Sequence, residues 1–145
     1  MADAPFHILV SDHLGLNGWE ILRESKDVTT AGPLPERKAL IAEVSRAHAL
    51  LLRSQTQADA ELIARGKRLR VIARAGAQLE NVDIDAATRH GIMVINVPDA
   101  NVIAVAEHTM AMLLALARHI PRGYTSLRAG RWERHEILGF QLRGK

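Results

Sequence analysis

Apolar residues in the first hundred positions fall into short runs, and stretches with helical spacing separate them. Phe6-His7-Ile8-Leu9-Val10 stops at Ser11-Asp12 and reads as a buried strand entering a turn. Trp19, Ile21 and Leu22 suit a helix opened near Asn17, and Val28-Thr29-Thr30 is a β-rich piece closed by Gly32-Pro33. Leu34 to Arg46 is expected to be helical, with Leu40, Ile41 and Val44 on one face and Pro35 and Glu36 near its start. Ala49-Leu50-Leu51-Leu52 is a second buried strand ending at Arg53-Ser54. Ala58 to Arg65 predicts a helix closed by Gly66, and Leu69 to Ala73 a strand running into Arg74-Ala75-Gly76. Asp83 to Arg89 predicts a further helix stopped by His90-Gly91, and Ile92 to Ile95 the last strand.

Strands separated by helices on this spacing imply βαβ crossovers and a parallel sheet covered on both faces. The expected fold class is α/β, a flavodoxin-like doubly wound sheet over residues 1–98. The pattern changes after Pro98. Asp99 or Asn101 can cap a long helix in which Ile103, Ala106, Met110, Leu113, Leu114 and Ala117 recur at helical spacing. Val102, Val105 and Met112 make it apolar on other faces too, so it needs burial nearly all round. Pro121 is expected to break it. A second helix follows over about 122–129, ends at Gly130, and gives way to an irregular arm with Trp132 and Phe140. A helix this apolar requires a second domain or a second subunit.

Composition narrows the function classes. The 145 residues are 48% hydrophobic and 24% charged, as in an ordinary globular domain. Without cysteine there is no disulfide framework and no thiolate metal site, in keeping with a cytoplasmic location. The start, Met1 to Pro5, lacks the basic residues and cleavage site of a signal peptide. The longest apolar stretch, Val102 to Ala117, contains Glu107 and His108 and is too short to span a bilayer. The net charge of +3 is uneven: from Arg118 onward, six Arg and Lys145 face only Glu133 and Glu136. That tail has no tandem basic run and few aromatics, which disfavours nucleic acid and favours small anions or an acidic subunit face.

Open α/β sheets bind ligands at the carboxyl ends of their strands. Those ends carry Asp12, Arg53-Ser54, Arg74-Ala75-Gly76-Ala77, and Asn96 to Asn101. Two arginines, a hydroxyl and a glycine turn suit a carboxylate or phosphate. Plainer readings stand beside this one. Arg53 can be a surface arginine at a strand end, and Asp12 is a turn former or cap before it is a catalytic acid. Glu107-His108 reads as a hydrogen-bonded structural pair in a buried helix. Trp132 is a core or interface aromatic first. His135-Glu136 lacks the second histidine of a zinc-protease helix.

The string from Ala73 to Asp83, Ala-Arg-Ala-Gly-Ala-Gln-Leu-Glu-Asn-Val-Asp, is similar to the glycine-turn signature of D-2-hydroxyacid dehydrogenases. Asp85 to Ile92, Asn96-Val97-Pro98 and Ala106-Glu107-His108-Thr109 follow it as in that family. Val10-Ser11-Asp12, Leu52-Arg53-Ser54, the segment Gly130 to Arg134 and the closing Leu142-Arg143-Gly144-Lys145 resemble its phosphoglycerate dehydrogenase branch. The resemblance covers essentially the whole chain in order.

It implies a smaller, lid-like substrate domain at 1–98. Residues 99–145 would be a linker helix and dimerisation arm belonging to an otherwise missing NAD-binding domain, with a homodimer formed through 102–140. Arg53 and Ser54 match positions that hold the anionic end of a small 2-hydroxy acid, 3-phosphoglycerate in this branch. Arg74, Ala75 and Gly76 match the loop at the substrate carboxylate, Ala77 the nicotinamide side of NAD, and Asn101 a substrate contact. Trp132 and Arg134 match residues reaching a neighbouring subunit's site. The Gly-x-Gly-x-x-Gly turn for the NAD pyrophosphate is absent from the chain, whose closest glycines are Gly15 and Gly18. No catalytic residue is expected in it, and the chain alone is expected to be inactive. The family usually carries glycine at Gln78 and aspartate at Glu80. Glycine permits positive φ or close backbone approach, which glutamine resists at about 1 kcal/mol or more. A non-catalytic dimerising module derived from the same family is the alternative.

Overall fold

The structure, a computed structural model, describes residues 5–144. Met1 to Ala4 of the N-terminal stretch, and Lys145 of the closing string, lie outside the described residues. Five parallel strands form one sheet in the order β2-β1-β3-β4-β5: β1 (Phe6–Val10), β2 (Val28–Ala31), β3 (Ala49–Leu52), β4 (Val71–Arg74) and β5 (Met93–Ile95). This is the flavodoxin-like order. The chain direction across the sheet reverses between β1 and β3, and a crevice opens outside their carboxyl ends.

The helices between the strands are α1 (Leu16–Glu24), α2 (Arg37–Val44), α3 (Ala60–Arg65) and α4 (Ile84–Arg89). Their starts differ from the sequence expectation for local reasons. α2 begins three residues later than Leu34, because Leu34 precedes Pro35 and that position disfavours helical ψ; the Leu34 N–H instead donates to the Val10 carbonyl. α3 begins after Asp59, whose side chain accepts the Leu62 N–H, while Ala58 makes a parallel bridge to Val82. α4 has the same device at Asp83, which accepts the Ala86 N–H.

The core draws on β1, β3 and β4 and on one face each of α2, α3 and α4. Leu9, Leu50, Leu52 and Ile72 from the strands meet Leu40, Val44, Leu62 and Ile63 from the helices. Each fully buried aliphatic side chain stabilises the fold by about 1.5–3 kcal/mol relative to exposure. At the sheet edge, Met93 and Ile95 are exposed, as β5 pairs only with β4.

The chain divides into two compact units between Ala100 and Asn101, two residues beyond the Pro98/Asp99 junction expected from the pattern. The second unit contains α5 (Val102–Ala117) and α6 (Ile120–Arg128). Here the structure corrects the sequence reading. The break is made by Arg118 and His119, the latter left-handed at φ 51°, and Pro121 lies inside the first turn of α6. A first-turn proline loses no helical hydrogen bond, so it starts this helix and breaks nothing. Apart from Ala117, no residue of α5 is buried. Glu107 and His108 are exposed and share no side-chain hydrogen bond among the described residues, so they are not a buried pair. The arm folds back on the helix junction: the Phe140 N–H donates to the Ala117 carbonyl, and a Cβ at Gly139 would collide with that carbonyl. No single helix among the described residues is long and apolar enough to cross a membrane, and α5 and α6 taken together are bent by 63°.

Candidate functional site

The topological switch point is occupied by a connected polar network. Asp12 follows β1, is 2% exposed, and accepts three hydrogen bonds from the loop after β3. Its Oδ2 takes the Arg53 N–H at 2.6 Å and the Thr56 N–H at 3.3 Å, and its Oδ1 takes the Thr56 hydroxyl at 2.6 Å. Asn81, 3% exposed, grips the same loop from the other side. Its Nδ2 donates to the Arg53 and Thr56 carbonyls, each at 2.6 Å. Between these anchors Ser54 and Gln55 are exposed, and neither backbone N–H has a partner among the described residues. Arg53 is exposed and spends one guanidinium N–H on the His13 carbonyl at 3.3 Å.

The turn after β4 lies next to this loop through the β3–β4 pairing. The Ala75 N–H donates to the Leu52 carbonyl. The turn's outer carbonyls are held from the end of β5: the Val97 N–H donates to Gly76, and Asn96 Nδ2 to Ala77 at 2.5 Å. The Ala77 and Gln78 N–H groups have no partner among the described residues. Two neighbouring turns thus present unpaired N–H groups beside one exposed guanidinium. Backbone N–H groups and a guanidinium are chemically suited to an anion.

The structure corrects one expected role. Arg74 is 8% exposed, and its guanidinium is committed to the fold: Nε donates to Asn81 Oδ1 at 3.2 Å and Nη2 to Glu80 at 3.0 Å. Its side chain also lies against Gly76, where any Cβ would collide with Nη1. A larger residue at 76 would require the Arg74 guanidinium to shift. Arg74 therefore braces the turn, and of the two arginines at these strand ends Arg53 is the exposed one. The positive φ that would penalise glutamine at 78 is absent. Among the described residues only His119 is a non-glycine with positive φ, so Gln78 occupies ordinary backbone. Glu80, where the family usually has aspartate, is the partner of Arg74.

Arg53, Ser54, Arg74, Ala75, Gly76 and Ala77 thus come together in the first unit. Asn101, Trp132 and Arg134 belong to the second. Asn101 precedes α5 and makes no side-chain cap, which leaves its amide uncommitted. Trp132 is 78% exposed and lines, with Arg134, Leu127 and Ile137, a cavity of about 300 Å³. The flanking Arg131 donates to Glu133 at 2.8 Å; the Ser126 hydroxyl and then this guanidinium hold the Glu133 carboxyl below its ordinary range. Asp12 holds a loop, in keeping with its reading as a turn former or cap, whereas Thr56 and Asn81 carry no signal in the sequence that marks them. No group of His, Asp and Glu among the described residues could hold a metal ion.

The sequence profile described as "D-isomer specific 2-hydroxyacid dehydrogenase, catalytic domain" matches residues 8–134. A D-3-phosphoglycerate dehydrogenase of Archaeoglobus fulgidus is 44% identical over 134 residues, covering 92% of this chain and 24% of the relative. A crystal structure of a Thermus thermophilus protein superposes with a TM-score of 0.83 at 33% identity, covering 94% of this chain and 46% of that one. An NAD+-bound 3-phosphoglycerate dehydrogenase of Entamoeba histolytica superposes with a TM-score of 0.68 at 28% identity, over 79% of this chain and 40% of that one. The chain thus spans about a quarter of the length of the curated relative. With the family profile matched from Ile8 to Arg134 and the switch-point site in place, this chain belongs to the D-isomer-specific 2-hydroxyacid dehydrogenase family.

Proposed function

We propose that this chain is the substrate-binding portion of an NAD-dependent D-2-hydroxyacid dehydrogenase whose substrate is 3-phosphoglycerate. The observation that carries the reading is the pair of turns after β3 and β4. They offer the N–H groups of Ser54, Gln55, Ala77 and Gln78 beside the exposed Arg53. The name shared by relatives at 41–44% identity supports the phosphorylated substrate. In such an enzyme NAD would supply the hydride acceptor. The residues here do not make a dinucleotide site by themselves: a pyrophosphate needs a Gly-x-Gly turn at a helix start, and the sequence has no Gly-x-Gly. This chain's own part is to bind and orient the anion. Alone it is expected to bind the substrate and to turn nothing over.

Calorimetric titration of the 145-residue chain with 3-phosphoglycerate and with NAD tests this. Saturable phosphoglycerate binding is expected, weakened by about tenfold or more in Arg53→Ala, since one charge-assisted hydrogen bond is worth about 1.5–3 kcal/mol. Identical binding in the variant sinks the assigned anion site, and NAD-dependent oxidation by the pure chain sinks the expected inactivity. The exposed apolar length of α5 favours a second reading, a dimerising module that answers to neither ligand.

A further inference from the structure

The Asp12–Thr56–Asn81 network is buried at the carboxyl end of the sheet, outside the hydrophobic cluster. Its hydrogen bonds are distributed unevenly along the loop after β3. All five go to the first and fourth residues: the N–H and carbonyl of Arg53, and the N–H, carbonyl and hydroxyl of Thr56. None goes to Ser54 or Gln55, two exposed residues whose N–H groups have no partner among the described residues. Donor and acceptor chemistry are divided between the two grips. The Asp12 carboxylate only accepts, so it takes N–H and O–H; the Asn81 amide nitrogen only donates, so it takes the carbonyls. Asn81 is in turn oriented by Arg74, which the Glu80 carboxylate also holds.

We infer that Asp12 and Asn81 are positioning residues that shape the Arg53–Thr56 loop for its anion before the ligand arrives, an inference that rests on the proposed reading of that loop as the substrate's anion site. Preorganisation spares the ligand the ordering of a four-residue loop. The sign of the Asp12 effect makes the role distinguishable from simple electrostatics. A buried carboxylate beside an anion site repels the ligand, so removing its charge by itself tightens anion binding. Removing a positioning group weakens it.

The test combines calorimetry with 3-phosphoglycerate and backbone amide exchange followed by NMR, on the intact chain. Asp12→Asn keeps the size of the side chain, but it replaces one acceptor oxygen by a donor nitrogen and makes the remaining bonds to the loop neutral, so it weakens the grip as well as removing the charge. Thr56→Val removes one hydroxyl from the network, and Thr56→Ser restores it. Expected are slow exchange at the Arg53 and Thr56 amides of the wild type and faster exchange in Asp12→Asn. Binding weakens about tenfold or more in Asp12→Asn and Thr56→Val and stays within about twofold in Thr56→Ser. Binding in Asp12→Asn as tight as wild type, or tighter, overturns the inference, as does fast exchange at both amides of the wild type. Should Asp12→Asn not fold, the Thr56→Val and Thr56→Ser pair decides by the same comparison. A wild-type chain that binds no phosphoglycerate overturns the site reading and the positioning role with it. The amide exchange then still reports separately whether the loop is clamped.

Discussion

His48 lies at the amino end of β3, at the opposite end of the sheet from Asp12. Its Nδ1 accepts the His7 N–H at 2.9 Å, its own N–H donates to the His7 carbonyl, and its ring stacks on Phe6 at 4.8 Å. Burial, then Arg68, Arg70 and His7, lower its pKa from the ordinary 6.5. A lowered imidazole pKa means that the folded state prefers the neutral ring, whose Nδ1 must stay unprotonated to accept. The stabilisation is therefore fully present above the unfolded value and is lost as pH falls through about 6.5 towards the lower folded value. Thermal unfolding is expected to show a falling Tm between about pH 7 and about pH 5 in wild type and a flatter profile in His48→Asn. Parallel profiles rule this out. At this scale the sequence was legible for position, and Arg53 and Ser54 stand exposed at the end of β3 as read. It was not legible for Asn81, whose carbonyl partners are 28 and 25 residues away. Arg74 misled in the opposite direction. An arginine at a strand end reads as a ligand cation until Glu80 and Asn81 are seen to hold it.

The elements that the hydrophobic pattern identified best are those with both flanks punctuated. β1 and β3 lie where their apolar runs place them, and α3 and α4 are bounded by Asp caps and stopped by Gly66 and the His90-Gly91 turn. Element ends shifted where chain-local chemistry competes with the pattern, as at Pro35 and Pro121. α5 is the element whose surroundings its sequence and its structure describe differently. Its composition asks for burial all round, yet Ile103, Met110 and Leu116 are 71%, 53% and 70% exposed. A continuous apolar face of this kind is covered in a working protein. In the reading proposed above it packs on a second copy of the chain. Sedimentation is expected to find a dimer that Met110→Asp converts to monomer, at no cost to the first unit. A wild-type chain that stays monomeric at high concentration excludes the second copy as occupant.

At the scale of the whole molecule the buried residues are divided very unequally. Every member of the hydrophobic core cluster lies between Leu9 and Ile92, and among the described residues of the second unit Ala117 and Ser126 are buried. A chain ended at Ala100 is therefore expected to keep cooperative unfolding with a Tm within about 5 °C of the intact one, since about 1 kcal/mol shifts Tm by 4–8 °C in a domain of this size. Loss of cooperativity on that truncation would show that the second unit supplies core after all. By itself the sequence determined the strand and helix order, the parallel α/β class and the family. These follow from local periodicity, punctuation residues and collinear motifs, which need no knowledge of distant partners. Only the tertiary structure decided which polar residues are free to meet a ligand and which are consumed. Asp12, Thr56, Asn81 and Arg74 find their hydrogen-bond partners through folding that brings β1, β3 and β4 side by side, and a buried polar group has to be satisfied by whichever partner that pairing delivers.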